Sequence, residues 1–135
     1  MQSAALPYRA TSEGSLEVLL VTSRRRRRWI LRKGKVAPGM LPHRSAACEA
    51  MEEAGVVGVP DDVAVGEIFK AKKAPNGGSK IVRVYPLRVS SEVERWPEHR
   101  QRERRWVSLE QALELVGDDE IREVLRRFSR SQACL

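Results

Sequence analysis

Three glutamates, Glu49, Glu52 and Glu53, stand at i, i+3 and i+4 in the segment SAACEAMEEA. If that segment is helical, they occupy an arc of about 100° on one face and are expected to converge on one point. Each like-charge neighbour costs ~0.2–0.5 kcal/mol. Glu52 and Glu53 also lie just before Gly55, at a helix end where the macrodipole disfavours anions by ~0.3–1 kcal/mol each. The simplest compensation is a hard divalent cation held by the clustered carboxylate oxygens. A solvated acidic face is the plainer reading. Against it, Ala46, Ala47, Ala50 and Ala54 are expected on the face opposite the carboxylates. Such small residues let a helix pack closely on a sheet, and the Gly-rich loop before it brings backbone amides and carbonyls to the same region.

The elements that must hold this cluster follow from pattern and punctuation. Ser45 to Ala54 carries four alanines and three glutamates and no β-branched residue, with Gly55 as its stop, and predicts a helix. Gly34, Pro38, Gly39 and Pro42 argue against regular structure across the loop before it. Glu17–Thr22 and Trp29–Leu31 read as a hairpin around the arginine run, and Val63–Ala71 and Lys80–Val89 as strands joined by a turn at Pro75–Gly78. Trp106-Val107 is a short strand. Ser108 with Gln111 forms a capping-box pair, and Asp118 or Asp119 caps a last helix carrying Ile121, Val124, Leu125 and Phe128 at helical spacing. No internal repeat or long linker appears, so one α+β or α/β domain fits best.

The stretch Gly34 to Val56, GKVAPGMLPHRSAACEAMEEAGV, resembles the Nudix box, G-x5-E-x7-R-E-U-x-E-E-x-G-U. Gly34, Glu49, Glu52, Glu53, Gly55 and Val56 fall in register without a gap. Met40 stands where the family has its first glutamate, and Cys48 where it has an arginine. In the family those two tend to pair, and replacing both partners of a buried pair by apolar groups can be nearly neutral. Cys48 itself reads as a small buried hydrophobe. Outside the box, Trp29 to Lys35, Trp96-Pro97-Glu98 and Arg102 to Trp106 resemble the diphosphoinositol polyphosphate and diadenosine polyphosphate hydrolases.

The resemblance implies an α/β Nudix fold, an α/β/α sandwich with a central mixed sheet, as a single domain over residues 1–135 with its box at 34–56. It implies a pyrophosphohydrolase that cuts a phosphoanhydride bond. Mg²⁺, with Mn²⁺ as the alternative, would be held by Glu49 and Glu53 with the Gly34 carbonyl. Glu52 or Glu53 would accept the proton of the attacking water. Gly34 and Gly39 would let the loop backbone approach the pyrophosphate.

Charge bears on the substrate. The 135 residues carry 25 Lys+Arg against 18 Asp+Glu, a formal net charge of +7, so the surface attracts anions. Of the five consecutive arginines Arg24 to Arg28, alternate side chains of a hairpin point to opposite faces, and two or three at most could reach one ligand. A solvated hairpin is the competing reading. Arg9, Lys70, Lys72, Lys73, Lys80 and Arg83 flank the box as well. Arg9, Arg24, Lys33 and Lys35 are expected on the substrate, the last three at its phosphates. Trp29, Trp96 and Trp106 read as packing rather than base stacking, and His43 and His99 lack ligand-like partners in sequence.

Cys48 and Cys134 are the two cysteines and form no CxxC, which fits a reducing cytoplasm. The longest apolar stretch, Leu16 to Thr22, contains Glu17 and falls far short of the ~20 residues of a membrane helix. No basic, apolar leader opens the chain. The expected partner is a small polyphosphate: a dinucleoside polyphosphate or a diphosphoinositol polyphosphate. Neither membrane nor nucleic acid is expected, and oligomeric state stays open. Two alternatives keep the fold. One is hydrolysis of a simple nucleotide, an oxidised nucleoside triphosphate or ADP-ribose. The other is a binding module in which Met40 and Cys48 mark decayed catalysis and the basic surface holds RNA or a nucleotide.

Overall fold

The computed structural model describes residues 2–24, 26–31, 33–71 and 79–133. In chain order they form strands β1 (Gln2–Ala10), β2 (Leu16–Thr22), β3 (Trp29–Ile30) and β4 (Lys33–Lys35), helix α1 (Pro42–Ala54), strands β5 (Val56–Pro60), β6 (Gly66–Ala71), β7 (Ser79–Glu92) and β8 (Arg104–Ser108), and helices α2 (Leu109–Leu115) and α3 (Asp119–Ala133). The strands join one mixed sheet whose spine runs β3-β2-β1-β7-β5, with β4 on β1, β6 on β7 and β8 on β2. β1 and β7 are parallel, Ser3 beside Arg83 and Leu6 beside Pro86. The other pairings are antiparallel.

Two apolar layers cover the two faces. On one, Ala4, Leu6, Val18, Leu20, Val82 and Val84 pack against Ala112 of α2 and Ile121, Val124, Leu125 and Phe128 of α3. On the other, Ala5, Leu19, Val21, Tyr85 and Leu87 pack against Ala46, Ala50 and Ala54 of α1. The result is the expected α/β/α sandwich. It explains why Val18 to Val21 is an unbroken apolar run, since these residues feed both layers alternately and none faces solvent. The hairpin of β2 and β3 forms as expected, Val21 opposite Ile30, as does the Ser108–Gln111 capping box. Asp118 caps the last helix, its Oδ1 accepting from the amides of Glu120 and Ile121.

Several boundaries differ from the sequence reading. β1 and β5 are strands that the sequence reading does not include: QSAALPYRA is rich in alanine and contains a proline, and pairing on both edges of β1 overrides such weak propensity. Lys33–Lys35 is a strand rather than loop, because the Gln2–Ala4 end of β1 offers it a ladder. The helix starts at Pro42, whose missing amide costs nothing in a first turn. β6 starts at Gly66 rather than Val63, and β7 runs on to Glu92. The turn at Pro75–Gly78 lies outside the described residues, as do Arg25, Arg32, Lys72, Lys73 and Cys134.

The end of α1 is the most heavily tied joint. Gly55 adopts the left-handed conformation at φ 68° and donates its amide to the Met51 carbonyl. A Cβ there would lie 2.7 Å from Cβ of Trp96 and 2.8 Å from Nη1 of Arg104. The Arg104 guanidinium stacks 4.1 Å above the Trp96 ring. Its Nη1 donates to the Ala54 carbonyl at 2.9 Å and the Val93 carbonyl at 2.8 Å. A cation therefore sits on the negative end of the helix dipole, where the sequence suggests nothing but anions. Gly55→Ala combines left-handed strain with a clash, and Arg104→Ala strips a charged donor from buried carbonyls. Each should cost about 2–4 kcal/mol in urea unfolding, at the upper end of single substitutions, and Arg104→Lys should recover the charge without the stacked, forked geometry.

Candidate active site

Gly34 and Glu49 meet. β4 runs beside α1, and the side chain of Glu49 crosses to it so closely that a Cβ added at Gly34 would lie 2.5 Å from both Cδ and Oε1 of the carboxylate. Glycine thus lets the carboxylate lie against a bare Cα, and any side chain there would displace it. Ser45, buried beneath the same loop, fixes the approach: its Oγ donates to the Lys35 carbonyl and accepts from the Ala37 amide, both at 3.4 Å.

The other two glutamates separate. Glu53 is 5% exposed and joins Ala5, Pro7, Leu19, Val21, Ile30, Leu31, Ala50 and Ala54 around a cavity of about 20 Å³, room for roughly one water molecule. Glu52 is exposed. The expected convergence on one point is therefore corrected. Among the described residues, no three Asp, Glu, His or Cys side chains gather as a ready-made metal cluster. The cause is the width of the arc. At 100° per residue Glu53 lies about 20° from Ala46, on the packed face, whereas Glu52 lies about 120° away in solvent. The alanines accordingly flank Glu53 instead of standing opposite it. Glu49 falls between, half-buried over Gly34.

Cys48 is exposed, not a buried hydrophobe, since two residues from Ala46 is about 200° round the helix. Met40 is 38% exposed. Both departures from the box lie at the surface, where no buried charge pair was at stake.

The basic residues disperse. Arg9 donates to Glu17 at 3.0 Å, lies 3.7 Å from Glu92 and stacks 4.1 Å over Trp106. It is six residues along β1 from Ser3, the partner of Gly34, or about 20 Å at strand rise. It is thus not at the Gly34–Glu49 contact. Arg24 is paired to Glu98 at 3.0 Å. Lys33 shares the sheet face of its partner Ala4 and, with Ala4, Ile30, Leu31, Ile68, Val82, Asp118 and Ile121, lines a cavity of about 170 Å³ on the α3 side. Strand alternation therefore puts the Lys33 side chain on the sheet face opposite Glu49. Lys35, two residues on, is exposed, and Gly39 occupies an open turn at φ 77°.

Sequence reasoning missed Ser45, whose role depends on the course of the loop before it, and Arg104 and this cavity, which depend on contacts distant in sequence. It also missed Glu98, although its i,i+4 spacing to Arg102 was a usable signal. Arg102, 2% exposed, donates to Glu98 at 2.7 Å and to the Thr22 carbonyl at 3.0 Å, and the Glu98 amide donates to the Glu52 carbonyl at 3.2 Å. Burial favours protonation of Glu98, but the hydrogen bonds and charges of Arg102 and Arg24 outweigh it and hold its pKa below the ordinary value.

The NUDIX domain profile matches residues 3–128. This chain belongs to the Nudix family. Nudix hydrolase 12, mitochondrial, of Arabidopsis thaliana is 34% identical over an alignment spanning 95% of this chain and 71% of that one. Nudix hydrolase 13, mitochondrial, of the same plant is also 34% identical, over 97% and 74%. Among solved structures, a Caenorhabditis elegans Ap4A hydrolase in a binary complex superposes with a TM-score of 0.72 at 25% identity, covering 100% of each chain. The NUDIX domain of Shewanella oneidensis NrtR, crystallised with ADP ribose, reaches a TM-score of 0.73 at 14% identity, over 97% of this chain and 86% of that one, which shows the shared fold. As a Nudix hydrolase the protein acts on phosphorus-containing acid anhydrides, and Nudix enzymes generally use divalent metal ions.

Two outcomes follow from the geometry. Gly34→Ala should displace the flexible end of Glu49 while sparing the fold, leaving the melting temperature within a few degrees and raising the metal concentration for half-maximal rate by about tenfold. Glu98, its folded pKa lowered, contributes stability that is present above its ordinary value near 4.5 and lost as pH falls through the folded value. Glu98→Gln should therefore melt lower than wild type at pH 7, with the gap closing as the solution is acidified below 4.5.

Proposed function

We propose that this Nudix hydrolase is a Mg²⁺-dependent pyrophosphohydrolase that cuts a phosphoanhydride bond of a dinucleoside polyphosphate. The observation that carries this reading is the placement of the 170 Å³ cavity relative to the Gly34–Glu49 contact. The two lie on opposite faces of β4, which among the described residues pairs with β1 alone. A ligand passing round that edge would place an apolar ring against Ala4, Ile68, Val82 and Ile121 and carry its phosphates past Lys33 toward Glu49. The ring fits a nucleobase. A diphosphoinositol polyphosphate, charged around its whole ring, has no apolar group for such walls, so the nucleotide is favoured within the expected pair. The resemblance in fold to an Ap4A hydrolase supports the same substrate class.

The residues fit a divalent ion: Glu49 lies on a cradle that a Cβ would fill, and Glu53 brings a second hard oxygen donor from the next turn of α1. Glu49 and Glu53 would hold the ion with the Gly34 carbonyl. When bound, Mg²⁺ or Mn²⁺ supplies neutralisation of phosphate oxygens and orientation of the attacking water. Glu52, which solvent reaches, would accept that water's proton. Lys33 and Lys35 neutralise the outgoing phosphate, and Gly39 keeps the loop backbone close. A second reading, ADP-ribose or an oxidised nucleoside triphosphate, is favoured by the cavity's size, which takes a single base and leaves the second nucleoside of a dinucleotide outside.

Product analysis on diadenosine tetraphosphate, a diphosphoinositol polyphosphate, ADP-ribose and 8-oxo-dGTP, with and without Mg²⁺, should show metal-dependent turnover greatest for the dinucleotide; preference for the inositol substrate overturns the assignment. Glu52→Gln should lower kcat by at least a hundredfold with the metal requirement unchanged, whereas Glu53→Gln should raise that requirement. Ala4→Leu, partly filling the cavity, should raise KM for nucleotides about tenfold and leave the metal requirement alone.

A further inference from the structure

Ser3 is a buried hydroxyl without a task in the account above. It is 0% exposed, and its Oγ has no hydrogen-bond partner. A buried polar atom left in that state is costly and calls for an explanation. Its position in the sheet supplies one. Ser3 is the direct partner of Gly34 on β4 and of Arg83 on β7. Ala5, two residues on, packs in the α1 layer, so Ser3 faces α1 as well. Side chains of directly paired strand residues stand ~4.5–5.5 Å apart at Cβ. At Gly34 the space a Cβ would take is filled by the Glu49 carboxylate. The Glu49 carboxylate therefore lies against the place of Ser3's cross-strand neighbour, on the sheet face that Ser3 shares.

We propose that Ser3 is a positioning residue for Glu49: its hydroxyl donates to one carboxylate oxygen and leaves the other turned toward the divalent ion. This rests on the reading of Glu49 as a metal ligand. Neutral and short, the donor fixes the orientation of the carboxylate without adding a charge that would compete with the cation, as groups behind metal ligands commonly do. Gly34 is the necessary complement, since any side chain there would stand between the two.

Mn²⁺ binding to the substrate-free 135-residue chain, followed by electron paramagnetic resonance alongside thermal melting, tests this. Ser3→Ala should weaken Mn²⁺ binding about tenfold while the metal-free melting temperature stays level or rises, because an unpaired buried hydroxyl has been removed. Ser3→Cys, a weaker donor of similar size, should fall between. In a Glu49→Gln background, Ser3→Ala should have no further effect, as a residue acting through Glu49 requires. Wild-type affinity in Ser3→Ala with weakened binding in Glu49→Gln overturns the role of Ser3 alone. So does an equal loss on adding Ser3→Ala to Glu49→Gln. Wild-type affinity in Glu49→Gln overturns the metal assignment beneath it.

Discussion

The contact of a carboxylate with a bare Cα, Glu49 on Gly34, is the constraint around which this site is arranged. It demands that α1 lie close against the sheet, and Ala46, Ala50 and Ala54 permit that because none projects beyond Cβ. It also demands that β4 run straight at Gly34, which the three-residue ladder with Gln2–Ala4 provides, and that the loop between them keep a fixed course, which Ser45 secures from below. A larger residue at any alanine of the stripe would lift the helix and separate carboxylate from strand.

Packing this close brings an electrostatic difficulty, since it drives Glu53 into an aliphatic wall in the last turn, at the negative end of the helix. Arg104 answers the dipole by bonding the terminal carbonyls, while Trp96 and Gly55 hold the guanidinium in place by stacking and by absence of a side chain. The neighbouring turn repeats the solution, with Arg102 buried between Glu98 and the Thr22 carbonyl and Glu98 tied to the backbone of Glu52. Part of the positive charge is thus engaged within the molecule: Arg9, Arg24, Arg102 and Arg104 all have carboxylate, carbonyl or aromatic partners. Net charge describes the molecule's field; it does not say which cations face a ligand.

What was legible in the sequence divides along the same line. The helix of Glu49, Glu52 and Glu53, its glycine stop, the β2–β3 hairpin and both later helix caps are local patterns, and they stand where spacing placed them. The register of the box through Gly34 was legible for the same reason. What could not be read was anything set by strand partners distant in sequence: β1, whose composition argues against a strand; the face on which Lys33 falls; and the division of the three glutamates between core and solvent. That last division was nonetheless within reach. Helical angles measured from Ala46 rather than among the glutamates themselves already place Glu53 on the packed side and Glu52 outside.

The edge position of β4 gives the two faces of the sheet a common border. Gly34 turns toward α1 and its neighbours Lys33 and Lys35 toward α3, so one residue separates the carboxylate contact from the wall of the larger cavity. In a central strand these faces would be sealed from each other by a ladder on both sides. At an edge they are joined by open backbone, and a ligand with a flat apolar end and an anionic chain can bend from one to the other. On the proposed reading, recognition of the ring and chemistry at the phosphates would rest on different layers of the sandwich. Substitutions in the cavity wall would then alter nucleotide preference while leaving the packing of Glu49 on Gly34 untouched.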